Sequence, residues 1–407
     1  MKRNRGIAMM MVISAIMLLS MVALEFVFGS NVNYRIAVNE KERLQAHYLA
    51  ESALNLMKIE LKMDKQIKSA IASSPIAQGL PIDLSQPMCQ QFPFSTELIR
   101  AFFIGGEIPL MGGTEGDVKA EGEKKEDSSA TVFEAETAQE FLSFEGDFNG
   151  ECKNEESKFN LNYFADLDPA QESLSGLNQY DAYKFILTNF LKADRYKKLF
   201  EDPGKIEDAV RNIADWTDKN DVINTPGGTS QGAEASLYKD EKAPRPRNTK
   251  FLSLDEVHLV DGVKDTWFMP LEDMFTIYGG NKINICMAED DVIWALIIAY
   301  AGQKPDLPPI DSKNADLKKK FVDTVRFSCT GVQPQTSKIA SDLDTALGIG
   351  GTGQTSGGFA SLITTENRYY SLKLTGQVGN TVVNIKTVLD TKDQDPKKWK
   401  MLYYKVY

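Results

Sequence analysis

The sequence predicts an α+β protein in which a long N-terminal transmembrane helix leads into an α+β head, and an inserted helical region interrupts that head. Three observations carry the prediction. Lys2, Arg3 and Arg5 run directly into an apolar stretch from Ile7 to Leu24. Apolar residues then recur at helical spacing through the middle of the chain. Strand-type alternation resumes after Arg368.

Composition narrows the function. The 407 residues leave room for two or three domains. Hydrophobic residues at 42% and charged residues at 25% suffice for a buried core. Against 57 Asp and Glu stand 46 Lys and Arg, a net charge of −11 that argues against nucleic acid as a partner. His47 and His258 are too few for a His-rich metal centre and leave little general-base chemistry. Cys89, Cys152, Cys286 and Cys329 show no CxxC spacing, which excludes a zinc ribbon and a thioredoxin-type motif. An oxidising compartment would allow two disulfides, whose pairing the sequence leaves open.

The apolar run from Ile7 to Leu24, at about 1.5 Å per residue, spans about 27 Å, close to a thin bilayer core. Its basic flank should stay cytoplasmic and the rest of the chain should lie on the other side. A secretory signal peptide needs a small-residue cleavage box after the apolar core, and Leu24-Glu25-Phe26 stands there instead. A plain signal anchor stays open on these features. Gly6, however, sits immediately before the apolar run, a junction that resembles the class III prepilin signal. That resemblance implies a leader of residues 1–6, cut by prepilin peptidase between Gly6 and Ile7, with methylation of the new amino group.

Leu44, Tyr48, Ala50, Leu54, Leu56, Ile59 and Leu61 continue the helical spacing, so one helix is expected over 7–66. Within it, Ala46-His-Tyr-Leu-Ala-Glu-Ser-Ala53 is similar to the AYxxAESG stretch of pilin-like proteins. Such helices usually carry Glu at the fifth mature position, which here is Met11. An ionised group near the helix centre costs about 2.5–3.5 kcal/mol on insertion scales unless it is paired. The usual partner is the amino terminus of the subunit above, and a subunit with nothing above it has no need of the acid. Met11 therefore points to a cap.

Residues 67–157 form the expected first part of the head. They include an acidic, apolar-poor loop at 112–137, which reads as mobile. Phe141–Phe148 alternates like a strand, with Gly146 and Gly150 punctuating a turn. Two helical units follow, 158–280 and 281–347. The first carries Phe185, Ile186, Leu187, Phe190 and Leu191, then Ile206, Val210, Ile213 and Trp216 at helical spacing. Ser253–Val260 and Pro270–Tyr278 read as short helices, and Glu289–Ala301 as an apolar one. Lys158-Phe-Asn-Leu-Asn162 and Lys282-Ile-Asn-Ile-Cys286 open the two units as a faint repeat. The segment 348–407 holds a glycine-rich linker, Gly348–Gly358, and strands over Arg368–Val378, Thr381–Asp390 and Lys400–Val406. Gly379-Asn380 is the expected hairpin turn.

Two motif matches mislead. Gly228-Thr-Ser-Gln-Gly232 fits GxSxG, with His258 downstream, but a nucleophile elbow needs a buried strand before Ser230 and a helix after it. Asn224-Thr-Pro-Gly precedes it instead. Gly348, Gly350 and Gly353 fit GxGxxG, but a helix end precedes them rather than a strand. Asp215-Trp-Thr-Asp-Lys-Asn-Asp221 has more chemical content. Asp215, Asp218, Asn220, Asp221 and Glu234 supply five oxygen donors on a turn-rich stretch. A hard cation takes six to eight oxygens, some from the backbone, and the spacing is not an EF-hand. On composition alone, an Asp/Asn-rich helix cap is the better explanation of the stretch.

Several blocks in one order carry a wider resemblance. After Gly6 and Met11 come Lys158-Phe-Asn-Leu-Asn162, Asp215-Trp-Thr-Asp218, Gly232-Ala-Glu234 with Tyr238, Pro246-Arg-Asn248, Leu254-Asp-Glu-Val-His-Leu-Val-Asp-Gly262 and Lys282-Ile-Asn-Ile285. The series resembles the minor pseudopilin K family of type II secretion systems over nearly the whole chain. Cys286 and Met287 stand where that family has Asn and Thr, and the acidic loop has no counterpart.

The resemblance implies a pilin-like α+β head interrupted by two SAM-like helical units, with calcium near the acidic stretch. Asp218, Asp221 and Glu234 are the expected ligands. It also implies a non-enzymatic subunit at the tip of a periplasmic pseudopilus, initiating its assembly and supporting protein export. The chain would be anchored once in the inner membrane, with its head in the periplasm and the I and J minor pseudopilins as partners. A minor pilin of a type IV pilus is the alternative within the same class. A membrane-anchored periplasmic hydrolase using Ser230 and His258 is the alternative from another class.

Overall fold

In the computed structural model, the chain begins with one helix, α1 (Asn4–Ala72), which continues six residues past its expected end. The structure describes residues 4–72, 86–91, 94–96, 144–170, 178–225, 230–238, 244–304, 307–330, 333–349 and 358–407. The acidic loop at 112–137 and most of the glycine-rich linker lie outside these residues.

Along α1 the side chains from Ile7 to Phe28 are exposed, and this stretch is long and apolar enough to cross a membrane. Further on the helix turns one face inward. Ala46, Ala50, Ala53, Met57 and Leu61 are fully or almost fully buried, at spacings of three and four residues.

They pack on an antiparallel sheet whose strands lie in the order β1 (Phe94–Ser95), β2 (Asp147–Asn154), β9 (Tyr369–Val378), β10 (Thr381–Asp390), β11 (Lys400–Val406). Short strands fill the numbering between. β3 (Phe159–Asn160) pairs in parallel with β6 (Phe275–Thr276), and β7 (Ile283–Asn284) with β8 (Ile363–Thr364). β4 (Val222–Asn224) and β5 (Ser230–Ala233) form an antiparallel pair.

Alternation explains the sheet. Tyr370, Leu372 and Leu374 of β9 point to α1, as do Ile385 and Leu389 of β10. The three C-terminal strands lie within a residue of their expected spans, and Gly379 turns the β9–β10 hairpin at φ 57°. The expected strand at Phe141–Phe148 is corrected to β2. Gly146 makes the turn before it at φ 109°, and residues 141–143 fall outside the described set. Gly150, read as a turn, is a buried strand position where a Cβ would stand 3.2 Å from the Met57 sulfur. A disulfide between Cys89 and Cys152 ties the short helix α2 (Met88–Gln91) to β2.

Between β2 and β9 the chain builds the helical body. Its helices are α3 (Gln179–Leu191), α4 (Ile206–Thr217), α5 (Asp265–Leu271), α6 (Asp290–Gly302), α7 (Ala315–Ser328) and α8 (Thr336–Leu347). A single buried core runs from Phe159 through Phe190, Trp216, Phe268 and Ile297 to Ile363, joining both repeats. The short helix expected at Pro270–Tyr278 is corrected as well. α5 ends at Leu271, one 3-10 turn follows, and Phe275 and Thr276 bury themselves as β6 against β3. Ser253–Val260 is likewise 3-10 over Leu254–Leu259.

Each repeat thus opens on a strand, β3 or β7, held in parallel by a later one. A second disulfide, Cys286–Cys329, closes the second repeat. Polar bridges gather where the chain returns from the body to the head. Arg368 grips Asp390 with two bonds of 2.6 Å, and the Asn284 amide donates to Glu366 O and Asn367 Oδ1 at 2.8 Å each.

Candidate metal centre

Helix α4 delivers the first two acids. Ile206, Val210, Ile213 and Trp216 bury one face of it, which carries its C-terminal end into the core. Asp215 and Asp218, three residues apart, come onto the same side there. Asp218 caps the helix with extended backbone, its N–H bonding Ala214 O at 3.1 Å. The β4–β5 hairpin then returns the chain so that Glu234 follows β5 directly. Its N–H donates to Asp221 O at 3.2 Å.

Asp215, Asp218 and Glu234 are at most 2% exposed, and each has a carboxylate oxygen within 4.8 Å of the others'. Two neighbours orient the aspartates. Tyr180 Oη lies 2.7 Å from Asp218 Oδ2 and 3.1 Å from Asp215 Oδ1. Asn224 Nδ2 donates to Asp218 Oδ2 at 2.8 Å and to Asp215 Oδ1 at 3.1 Å. Lys184, the nearby cation, is committed to Asp181 at 2.8 Å.

Glu234 has nothing comparable, because both of its carboxylate oxygens are buried without a hydrogen-bond partner among the described residues. Burial pushes Asp215 up to about 6 and Asp218 to about 7. Burial, and then the charges of Asp218, Asp215 and Asp221, push Glu234 to about 9. Three buried carboxylates with an orphaned pair of oxygens suit a hard, oxygen-seeking cation, which would relieve both the desolvation and the repulsion.

The structure thus brings Asp218 and Glu234 together with Asp215. The Asp221 carboxylate stands at the exposed rim, where Asn248 Nδ2 donates to it at 2.7 Å. Asn248 adopts φ 51°, sparsely used outside glycine, and its Nδ2 also reaches Asn220 O at 2.6 Å. Tyr180 and Asn224 carry no signal in the local sequence pattern, and Asn248 is marked only as part of the Pro246-Arg-Asn248 block. The spacing of Asp215 and Asp218 on α4 is the one signal that pairs the two aspartates.

The other sequence-predicted positions lie elsewhere. Gly6, Ile7 and Met11 all lie on α1, with Ile7 at 56% and Met11 at 68% exposure. Ser230 lies in β5, opposite Asn224, and a strand-to-helix elbow is not formed there. His258 Nδ1 is 2.7 Å from Asp265 Oδ1 and its ring meets Phe268 edge-on.

A membrane-anchoring helix packed on an antiparallel sheet, with a helical body inserted between β2 and β9, defines a pilin-like α+β protein. Residues 157–280, which hold the whole acidic centre, match the family model described as type II secretion system (T2SS), protein K. Over those residues the match bears out the resemblance to protein K, the minor pseudopilin of type II secretion systems, that the order of the sequence blocks carries.

No curated protein sequence matches it. Among solved structures, a chain of the crystal structure of the GspK-GspI-GspJ complex from the enterotoxigenic Escherichia coli type 2 secretion system is similar at 14% identity and a TM-score of 0.48. That similarity covers 92% of this chain and 99% of that one.

Proposed function

We propose that this subunit caps the periplasmic pseudopilus, initiates its assembly and supports protein export, with calcium stiffening its helical body. The observation that carries the reading is the protein K match over residues 157–280. Met11 supports the tip position, since it cannot pair with the amino terminus of a subunit above and would leave that group unpaired in low dielectric. The helical body acts in the same direction, being too bulky to repeat along a close-packed filament. In this reading prepilin peptidase cuts between Gly6 and Ile7, and the new terminus is methylated. The helix stays in the inner membrane and the head is periplasmic.

The I and J minor pseudopilins dock along the exposed stripe of α1, where Leu44, Tyr48 and Ile59 are each more than half exposed. Asp215, Asp218 and Glu234 hold the cation, with Asp221 beside them. The repeats opened by β3 and β7 serve as the two SAM-like units. Heads lacking residues 1–29, mixed with the heads of the two smaller minor pseudopilins, should form an equimolar complex without self-polymerising. Sedimentation showing polymers of this head alone would defeat the proposal.

A further inference from the structure

The outer edge of β11 is a surface to which nothing has yet been assigned, on a different sheet from the β4–β5 pair beside the acidic centre. Asn384 and Tyr407 exchange backbone hydrogen bonds, N to O at 2.9 Å one way and 3.0 Å the other. Parity along an antiparallel ladder then makes Lys386–Lys405 and Val388–Tyr403 hydrogen-bonded pairs too. Tyr404 and Val406, lying between, turn their N–H and C=O groups away from β10. Among the described residues β11 ends the sheet, so those groups face outward.

The side chains divide by face. Val406 sits opposite the fully buried Ile385, so Val406 and Tyr404 extend the α1 side of the sheet beyond its edge. They are 42% and 41% exposed. Burial, and then the Glu51 carboxylate of α1, push the Tyr404 hydroxyl up, which places this ledge against the helix flank. On the opposite face, register aligns Glu151, Lys373, Lys386 and Lys405 across β2, β9, β10 and β11. Like charges directly opposite each other destabilise a sheet. Glu151 balances the row at one end and Glu272 stands 4.0 Å from Lys386, but Lys405 has no acidic partner among the described residues.

We infer that the free edge of β11 accepts an extended segment of another polypeptide in which carboxylate and apolar side chains alternate. Its backbone would complete the outward groups of Tyr404 and Val406, as in β-strand addition. Its apolar side chains would cover the Tyr404–Val406 ledge. Its carboxylate would extend the row beside Lys405, which an antiparallel neighbour meets as a non-hydrogen-bonded pair, where side chains are closest. A second copy of β11 is disfavoured, because two lysine rows would meet end to end; edge lysines commonly guard against such self-pairing. This inference does not depend on the tip assignment.

The test uses the full-length protein in detergent and two short synthetic peptides, one alternating Val and Glu, the other Val and Lys. The Val/Glu peptide should bind and slow amide exchange across residues 400–407 about tenfold. Val406→Pro removes one outward N–H without touching a bond to β10, and should abolish that protection. Lys405→Glu should switch the preference to the Val/Lys peptide. If Val406→Pro lowers the melting temperature, Lys405→Glu decides alone. Binding of neither peptide, equal binding of both, or no switch with Lys405→Glu would overturn the inference.

Discussion

Replacing Glu234 by Gln should stabilise the calcium-free protein and remove its response to calcium. The carboxyl is buried with both oxygens unpartnered, and its pKa stands at about 9 against an ordinary 4.5. Between those values the folded, cation-free protein holds a proton that the unfolded chain has released. Stability present below about pH 4.5 is therefore lost progressively as the pH rises toward 9. By about pH 8 roughly 3.5 units have been crossed, and at about 1.4 kcal/mol per unit the full cost is about 5 kcal/mol. Relaxation around the site reduces this, so the expected gain for the Gln variant, which keeps the volume, is about 2–5 kcal/mol.

On the proposed calcium reading, the cation would bind the ionised carboxylates and displace their protons, so its stabilisation should be larger near pH 8 than near pH 5. Urea unfolding followed by tryptophan fluorescence measures both effects, since the fully buried Trp216 adjoins Asp215. The wild type in chelator should weaken as the pH rises and recover with calcium; the variant should weaken less, since only Asp215 and Asp218 keep their raised values, and should not recover with calcium. A wild-type calcium response equal at the two pH values, or a Gln variant less stable than wild type in chelator, would refute the reasoning.

Three further outcomes are expected. Gly376→Ala should destabilise the head by about 3 kcal/mol. A Cβ there overlaps the Ala46 carbonyl oxygen and stands 2.8 Å from Ala50 N, whereas Gly280→Ala, with nothing within 4 Å, should be near neutral; denaturant midpoints compare them. Cys286→Ser with Cys329→Ser opens a bridge across 43 residues of sequence. The chain-entropy estimate for that loop is about 4 kcal/mol, and an unchanged unfolding midpoint under oxidising conditions would contradict it. Mass spectrometry of the mature protein should find Ile7 at its terminus, with the loss of Lys2, Arg3 and Arg5 moving the net charge from −11 to −14. A terminus beyond Phe28 would mean an ordinary signal peptide.

The helix α1 and strands β9–β11 were legible because one periodicity governs each of them. Hydropathy is continuous from Ile7 to Leu24, and burial alternates strictly along Tyr369–Val378. Gly150 hid β2, since a glycine read as a turn is in fact a close approach to Met57, which only the packed helix reveals. In the acidic centre the donors were visible as a set, but their selection was not. Asp221 is near in sequence yet at the rim, while Asp215 enters through the burial of the end of α4. Tyr180 and Asn224, which hold the aspartates, come from α3 and β4, and their approach is a product of tertiary packing. The disulfide pairing depends on the same packing: Cys152 meets Cys89 only because β2 passes beside α2.

Photo-cross-linking from α1 in the assembled secretion machinery tests the tip assignment most directly. A cross-linker at Leu44 or Tyr48, at 55% and 58% exposure, reads out which subunits lie beside the helix. The account predicts adducts with the two smaller minor pseudopilins on the lower side alone. Adducts with subunits both above and below, or with a second copy of this chain, would contradict it.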